Sequence, residues 1–283
     1  MHSVKSIILK LLIMSFLVIT LLIKVPPTND LLTLNLKGEE VDLYYSPSQL
    51  YVDYKGSRTY INADKHHQFI DIALGDIDSD GVDEILSLVG NKGSPHGNEL
   101  VIYNLTTDPE GLQLKQSYRN DISLIKPWKI ETCEIDKDDE LEIFIAVHKS
   151  THYYKDVENR PFFFNFRDGK LIKKWTGSKV RAPFTDVFFI DIDHNGRDEF
   201  IVIEKAEEEG FVIAVYYWFG FGFILQAEST IYEVITSVSM VKTEEETLLE
   251  LEVMEAGKFK RVLLETSTLR TKNEIYLLKE RGI

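Results

Sequence analysis

The chain has 283 residues, 44% of them hydrophobic, which is enough material for one large β domain or two smaller ones with a substantial core. A formal charge of −14 argues against a phosphate-tracking surface, because nucleic-acid binding depends on cationic side chains that displace counterions. The single cysteine, Cys133, excludes an intrachain disulfide and a cysteine-based zinc cage, and beside Glu134 it reads as a small buried side chain.

Residues 1–6 form a short Lys-bearing end, followed at 7–23 by the one long apolar run, interrupted by Lys10. A helix of this length falls slightly short of the roughly 20 residues a bilayer prefers, but Lys10 lies near one end and can snorkel. No small-x-small cleavage site follows, only Lys24-Val25-Pro26-Pro27, so a transmembrane signal anchor is favoured over a cleaved signal peptide. The positive-inside rule places everything after residue 24 outside the cytoplasm. The expected location is therefore the cell membrane, with secretion after cleavage as the alternative. Residues 24–30 are a Pro-containing linker. From residue 31 to 283 the pattern is short β-rich runs and turns with no sustained helical period, which makes the body all-β.

The loop Asp76-Ile77-Asp78-Ser79-Asp80-Gly81-Val82-Asp83-Glu84 places oxygen-bearing side chains at positions 1, 3, 5 and 9, with Gly81 at position 6 for a sharp turn. That pattern suits a hard cation such as Ca²⁺, which takes several oxygens. Asp76, Asp78, Asp80 and Glu84 would ligate through carboxylates and Val82 through its carbonyl. The loop recurs from Glu134 to Glu142, with Asp136 and Asp138 inside it. It recurs again from Asp191 to Glu199, with Asp193, Asn195 and Arg197 at positions 3, 5 and 7. Each copy lies between apolar runs and is followed by a hairpin-like pair, giving units of about 67–124, 125–181 and 182–230. Four short strands per unit is the plan of a β-propeller blade. Residues 231–283 repeat the strand pattern without the loop and residues 31–66 offer a shortened set, so five blades are expected, with four or six as alternatives.

Asp-x-Asp-x-Asp-Gly-x-x-Glu between two strands resembles the FG-GAP and VCBS repeats of integrin α-subunit propellers and many bacterial surface proteins. The resemblance implies a propeller with Ca²⁺ in the loop joining the first two strands of a blade. Asp76, Asp78, Asp80 and Glu84 match the implied ligand positions, as do Asp191, Asp193, Asn195 and Glu199. The middle copy departs, with Glu134 at position 1 and Asp139 where glycine belongs. An EF-hand would need an acidic residue at position 12, where Ser87 and Val202 stand. The remaining alternative is three acidic hairpin turns without metal, since Asp, Asn and Gly are ordinary turn formers.

The propeller plan puts the loops after the second and fourth strands on the face opposite the acidic loops. That face would carry His67, His96, Lys126, Trp128, His148, Lys149, His152 and Arg181, cationic or aromatic residues on an acidic chain. They suggest an anionic or carbohydrate-like partner such as an envelope polymer, against the plainer reading of scattered solvated loop residues. The three-residue gap between His148 and His152 occurs in zinc sites, but spacing specifies no third ligand. No serine-nucleophile elbow, phosphate-binding loop or His-Glu-x-x-His is present. Two functions stay open: a membrane-anchored calcium-binding module for adhesion or scaffolding, without catalysis, or an envelope-polysaccharide lyase or glycosidase working on the face opposite the acidic loops.

Overall fold

A computed structural model describes residues 30–108, 111–138, 140–242, 247–266 and 275–281. The predicted anchor at 7–23 and the predicted linker up to residue 29 lie outside them. Among the described residues no helix is long and apolar enough to cross a membrane.

The described residues fold as five successive sheets, antiparallel but for one short parallel pair, each wound as an up-and-down meander. Sheet I contains β1 (Asp30–Leu36), β2 (Glu39–Ser46), β3 (Gln49–Tyr54) and β4 (Ser57–Asn62). Sheet II contains β5 (His67–Gly75), β6 (Glu84–Asn91), β7 (Glu99–Asp108) and β8 (Gly111–Asp121). Sheet III contains β9 (Pro127–Cys133), β10 (Glu142–Lys149), β11 (Glu158–Arg167) and β12 (Lys170–Thr176). Sheet IV contains β13 (Phe184–Ile190), β14 (Glu199–Lys205), β15 (Phe211–Trp218) and β16 (Phe223–Glu228). Sheet V contains β17 (Val234–Lys242), β18 (Thr247–Glu255) and β19 (Lys258–Glu265). The first sheet thus has a full set of four strands where a shortened set was expected.

The C-terminal segment departs from the expected pattern. The strand pattern of residues 231–283 predicts that Ile275 to Leu278 closes the fifth unit as its last strand. Instead β20 (Tyr276–Leu277) pairs in parallel with β16 of sheet IV, and β21 (Lys279–Arg281) pairs with β19 to complete sheet V. The fully buried Leu278 lies between the two and belongs to the cluster shared by sheets IV and V, so burying this one side chain draws the segment across the seam.

Local sequence fixes the hairpins. Lys37-Gly38, Lys55-Gly56, Asp168-Gly169 and Ala256-Gly257 each form a two-residue connection, with φ of 48–53° at the first residue and 68–87° at the glycine. Positive φ at both residues is the mirror-image turn whose twist matches that of the flanking strands. The second strands β6, β10 and β14 are buried on both faces, which explains why they read as unbroken apolar runs instead of alternating ones.

Four hydrophobic clusters hold the sheets together, joining I to II, II to III, III to IV and IV to V. The aromatic runs of β11 and β15 serve this packing. Phe163, fully buried, meets Phe144, Trp175, Phe189, Phe200 and Phe223 at centroid distances of 4.9–5.9 Å. Burying each such ring contributes roughly 1.5–3 kcal/mol. No cluster joins sheet I to sheet V among the described residues. The architecture is therefore five stacked blade-like sheets, propeller-like in plan.

Two irregularities recur and matter for the site. The first strands of sheets II to V slip by one residue at Ile70, Trp128, Thr185 and Thr236. The fourth strands of sheets II, III and IV slip at Ser117, Lys174 and Gln226. Such bulges re-aim a side chain.

Candidate metal centres

The three acidic loops occupy one structural position, between the first and second strands of sheets II, III and IV. Each turns through a residue of positive φ at position 4, Ser79 (60°), Lys137 (60°) and His194 (57°), and Gly81 (85°) and Gly196 (82°) follow at position 6 in the outer copies. Asp139, at position 6 of the middle copy, lies outside the described residues.

The position-1 carboxylate organises the turn. Asp76 accepts hydrogen bonds from the amides of Asp80 (2.9 Å) and Gly81 (2.8 Å), and Asp191 accepts from Asn195 and Gly196 (both 3.0 Å). In the middle copy the longer Glu134 reaches the earlier amides of Asp136 (3.2 Å) and Lys137 (2.5 Å). Position 9 opens the second strand. Glu84, Glu142 and Glu199 accept from the amides of Ile77 (3.1 Å), Ile135 (3.1 Å) and Ile192 (2.9 Å). Glu84 and Glu142 also accept from Asn104 (3.0 Å) and Asn165 (3.1 Å) on the third strand.

These bonds bring positions 1, 3 and 9 together. In each of the sets Asp76, Asp78, Glu84; Glu134, Asp136, Glu142; and Asp191, Asp193, Glu199, one carboxylate oxygen per residue lies within 4.8 Å of the others. Such a span matches oxygens around one hard cation at 2.3–2.6 Å. Among the described residues no histidine belongs to these groups, so the His148 and His152 zinc reading gains no support. At position 5, Asp80 accepts from the Val82 amide (2.9 Å) and Asp138 from Glu140 (3.2 Å). Asn195 and Arg197 are exposed on the third loop.

The clusters are electrostatically costly without a cation. Burial, and then the neighbouring Asp78, pushes the Glu84 carboxyl up to about 8, and burial with Asp193 nearby does the same to Glu199, also to about 8. Burial and Asp80 raise Asp78 as well. Both position-9 carboxyls would hold protons at neutral pH unless a cation displaces them.

The middle cluster is compensated from within. Lys174, the bulged residue of β12, places its ammonium 2.5 Å from Glu142, 2.7 Å from Asp136 and 3.4 Å from Asp138. Its side chain is only 12% exposed. Burial opposes the charge on Lys174, but the hydrogen bonds it donates to Asp136 and Glu142 outweigh it and raise its pKa. The loop spacing alone gave no warning of this residue, which lies 32 positions beyond Glu142.

Each loop is also a seam between sheets. Asp83, at position 8, accepts from the Asn35 amide (2.7 Å) and returns its own amide to the Asn35 carbonyl (2.8 Å). Asp198 makes the same double contact with Glu134, at 2.9 and 2.6 Å. Lys137 reaches the Asn195 carbonyl (3.0 Å), and His194 meets Thr247 of sheet V (2.6 Å). Anything that orders these loops therefore orders the joints of the stack.

The residues predicted for the opposite face fall into smaller groups, and His96, Lys126 and His148 form one of them, the His148 amide donating to the Lys126 carbonyl (3.1 Å). His67 pairs with Asp64 (2.9 Å). His96 and His148 stack at 5.4 Å, and His148 is anchored to Asn159 (2.9 Å). Trp128 packs on Phe184. Arg181 is taken up by Glu228 and by the fully buried Glu204 (3.0 Å), which also accepts from Tyr216 (2.5 Å). Lys126 remains exposed.

Lys149 and His152 do come together, in a groove of about 640 Å³ that also includes Asp121, Tyr153, Phe162 and Lys173. Leu124 and Tyr153 at its rim are 92% and 81% exposed. A further polar group lies on the first strands, where Lys129 pairs with Asp186 (2.7 Å) and Glu131 (3.4 Å). Beside it, burial pushes the Asp71 carboxyl up to about 7, against the hydrogen bond it accepts from the Ile130 amide (2.8 Å). No protein-family model matches the chain, and no curated protein matches it.

Proposed function

We propose that this chain is a calcium-stabilised, propeller-like binding module, anchored by its N-terminal apolar segment and displayed outside the cytoplasm. Its ligand would be an anionic envelope polymer. The observation that carries the reading is the groove containing Lys149, His152, Lys173, Tyr153 and Phe162, because it gathers cations, the exposed Tyr153 ring and the Phe162 ring, over which Lys149 lies, on a chain of net charge −14. Aromatic rings offer apolar faces to sugar rings, and the two ammonium groups answer carboxylates, opposed within the groove only by Asp121. The resemblance of the loops to FG-GAP and VCBS repeats supports the same reading, as does the paired arrangement of the Asp76 and Asp191 clusters at joints between sheets.

The test is binding of the full-length chain to hyaluronan, with neutral dextran as control, in the presence of Ca²⁺. Charge reversal in the variant K149E/K173E should weaken binding at least tenfold with an unchanged melting temperature. Retention within twofold would refute the assignment. The second reading, a polysaccharide lyase or glycosidase, draws on Asp71, since a carboxyl poised near neutral pH suits general acid or base work. Shortening of the polymer during the same incubation, abolished in D71N, would favour that reading over simple binding.

A further inference from the structure

Sheets II, III and IV share one register, and the bulge on the fourth strand puts Ser117, Lys174 and Gln226 at equivalent places. In sheet II the serine lines a cavity of about 340 Å³ with Asp78, Glu84 and Asn104, beside the first acidic cluster. In sheet III a cationic side chain stands at that place. Its ammonium touches the carboxylates at positions 3, 5 and 9 of the loop, three of the four that the repeat pattern assigns to a cation.

We propose that Lys174 is a built-in counter-ion: its ammonium occupies the cation position of the second loop, so that this loop takes no divalent metal. Two positive groups cannot share the three carboxylates, because the ammonium already lies at hydrogen-bond distance from Glu142 and Asp136. Charge-assisted contacts of this length are the strong ones, and burial of the side chain keeps them from being screened. The departures of this copy from the repeat pattern follow. A loop closed by a tethered ammonium does not need the coordination geometry of an ion, so Glu134 at position 1 and Asp139 at position 6 are tolerated. The central sheet is then fixed whatever the cation concentration, while its neighbours II and IV respond to it.

The proposal also states how the loop could be converted. Shortening Lys174 to serine, the residue at the same bulge of sheet II, removes the ammonium and leaves Asp136, Asp138 and Glu142 facing a space that Ca²⁺ can enter. Asp136 Oδ1, buried and without a hydrogen-bond partner, adds a ligand oxygen. The count of two cations for the parent rests on the proposed calcium role of the outer loops. The difference between variant and parent does not.

The experiment is Ca²⁺ stoichiometry of the full-length chain by native mass spectrometry and calorimetry, for the parent, K174S and K174M. The expected result is one more Ca²⁺ per chain in K174S than in the parent. K174S should also melt lower than the parent in chelator and recover when millimolar Ca²⁺ is added. K174M fills the space without charge, so its melting deficit against the parent should be the same in chelator and in Ca²⁺, whereas the deficit of K174S should close in Ca²⁺. An equal count in parent and K174S, or equal recovery of K174S and K174M, would overturn the proposal. A K174S chain that folds only with Ca²⁺ would support it. A parent that binds no Ca²⁺ would refute the calcium role of the outer loops, while a single ion gained by K174S would still uphold the role of Lys174.

Discussion

Calcium binding to the first and third loops should release protons, and the number can be worked from the structure. Glu84 and Glu199 are pushed from an ordinary 4.5 to about 8 in the cation-free fold. At pH 7 each is then about nine-tenths protonated, so Ca²⁺ entering both sites should expel about two protons per chain. The apparent affinity of each site should rise up to about tenfold per pH unit below pH 8 and level off above it. The cation-free chain should behave oppositely. Between pH 4.5 and 8 the unfolded state binds fewer protons at these two groups than the folded state does, so their contribution to stability is full below 4.5 and lost as pH rises through 8. Calorimetric titration in two buffers of different ionisation enthalpy reads the protons directly, and melting with chelator and with Ca²⁺ reads the stability. Identical binding heats in both buffers at pH 7, or an affinity unchanged from pH 6 to 9, would refute the reasoning.

R181A should cost about 3 kcal/mol in chemical denaturation, because Glu204 is fully buried and would keep only Tyr216 as a side-chain partner. The double variant R181A/E204Q should recover much of the loss, and failure to do so would mean that Arg181 acts through packing alone. D198A should cost about 1–3 kcal/mol by leaving the Glu134 amide unpaired at the joint between sheets III and IV. Amide hydrogen exchange should show the protection lost at Glu134 and its neighbours while the distant sheet I is unaffected.

Much of this architecture is written locally. The Xaa-Gly pairs at residues 37–38, 55–56, 168–169 and 256–257 set hairpins by backbone sterics alone, and the apolar runs of β6, β10 and β14 announce strands covered on both faces. Recurrence of the acidic loop at offsets of 58 and 57 residues carried the register of the stack, because each copy marks the same first-to-second-strand turn. Asp at position 8, in two copies of three, was visible too, but its role as a clamp on the preceding sheet was not. That contact joins Asp83 to Asn35 and Asp198 to Glu134, residues 48 and 64 positions apart.

What the sequence determined by itself was the β character, the unit length and the three carboxylate loops, since each depends on residues within one turn or one strand. Tertiary structure decided which positive groups are spoken for. Arg181 looked like part of a ligand surface until Glu204, a buried carboxylate 23 residues away, was seen to hold it. Lys149 and His152 gained a shared groove with Lys173 through the packing of sheet II against sheet III. The crossing of the C-terminal segment from sheet IV to sheet V likewise depends on a seam that no local pattern encodes. The middle loop makes the contrast most directly. Its spacing is that of a cation site, and a lysine aimed by a bulge on another strand brings the positive charge from inside the chain. Charge compensation acts through space, and spacing along the chain records only half of the pair.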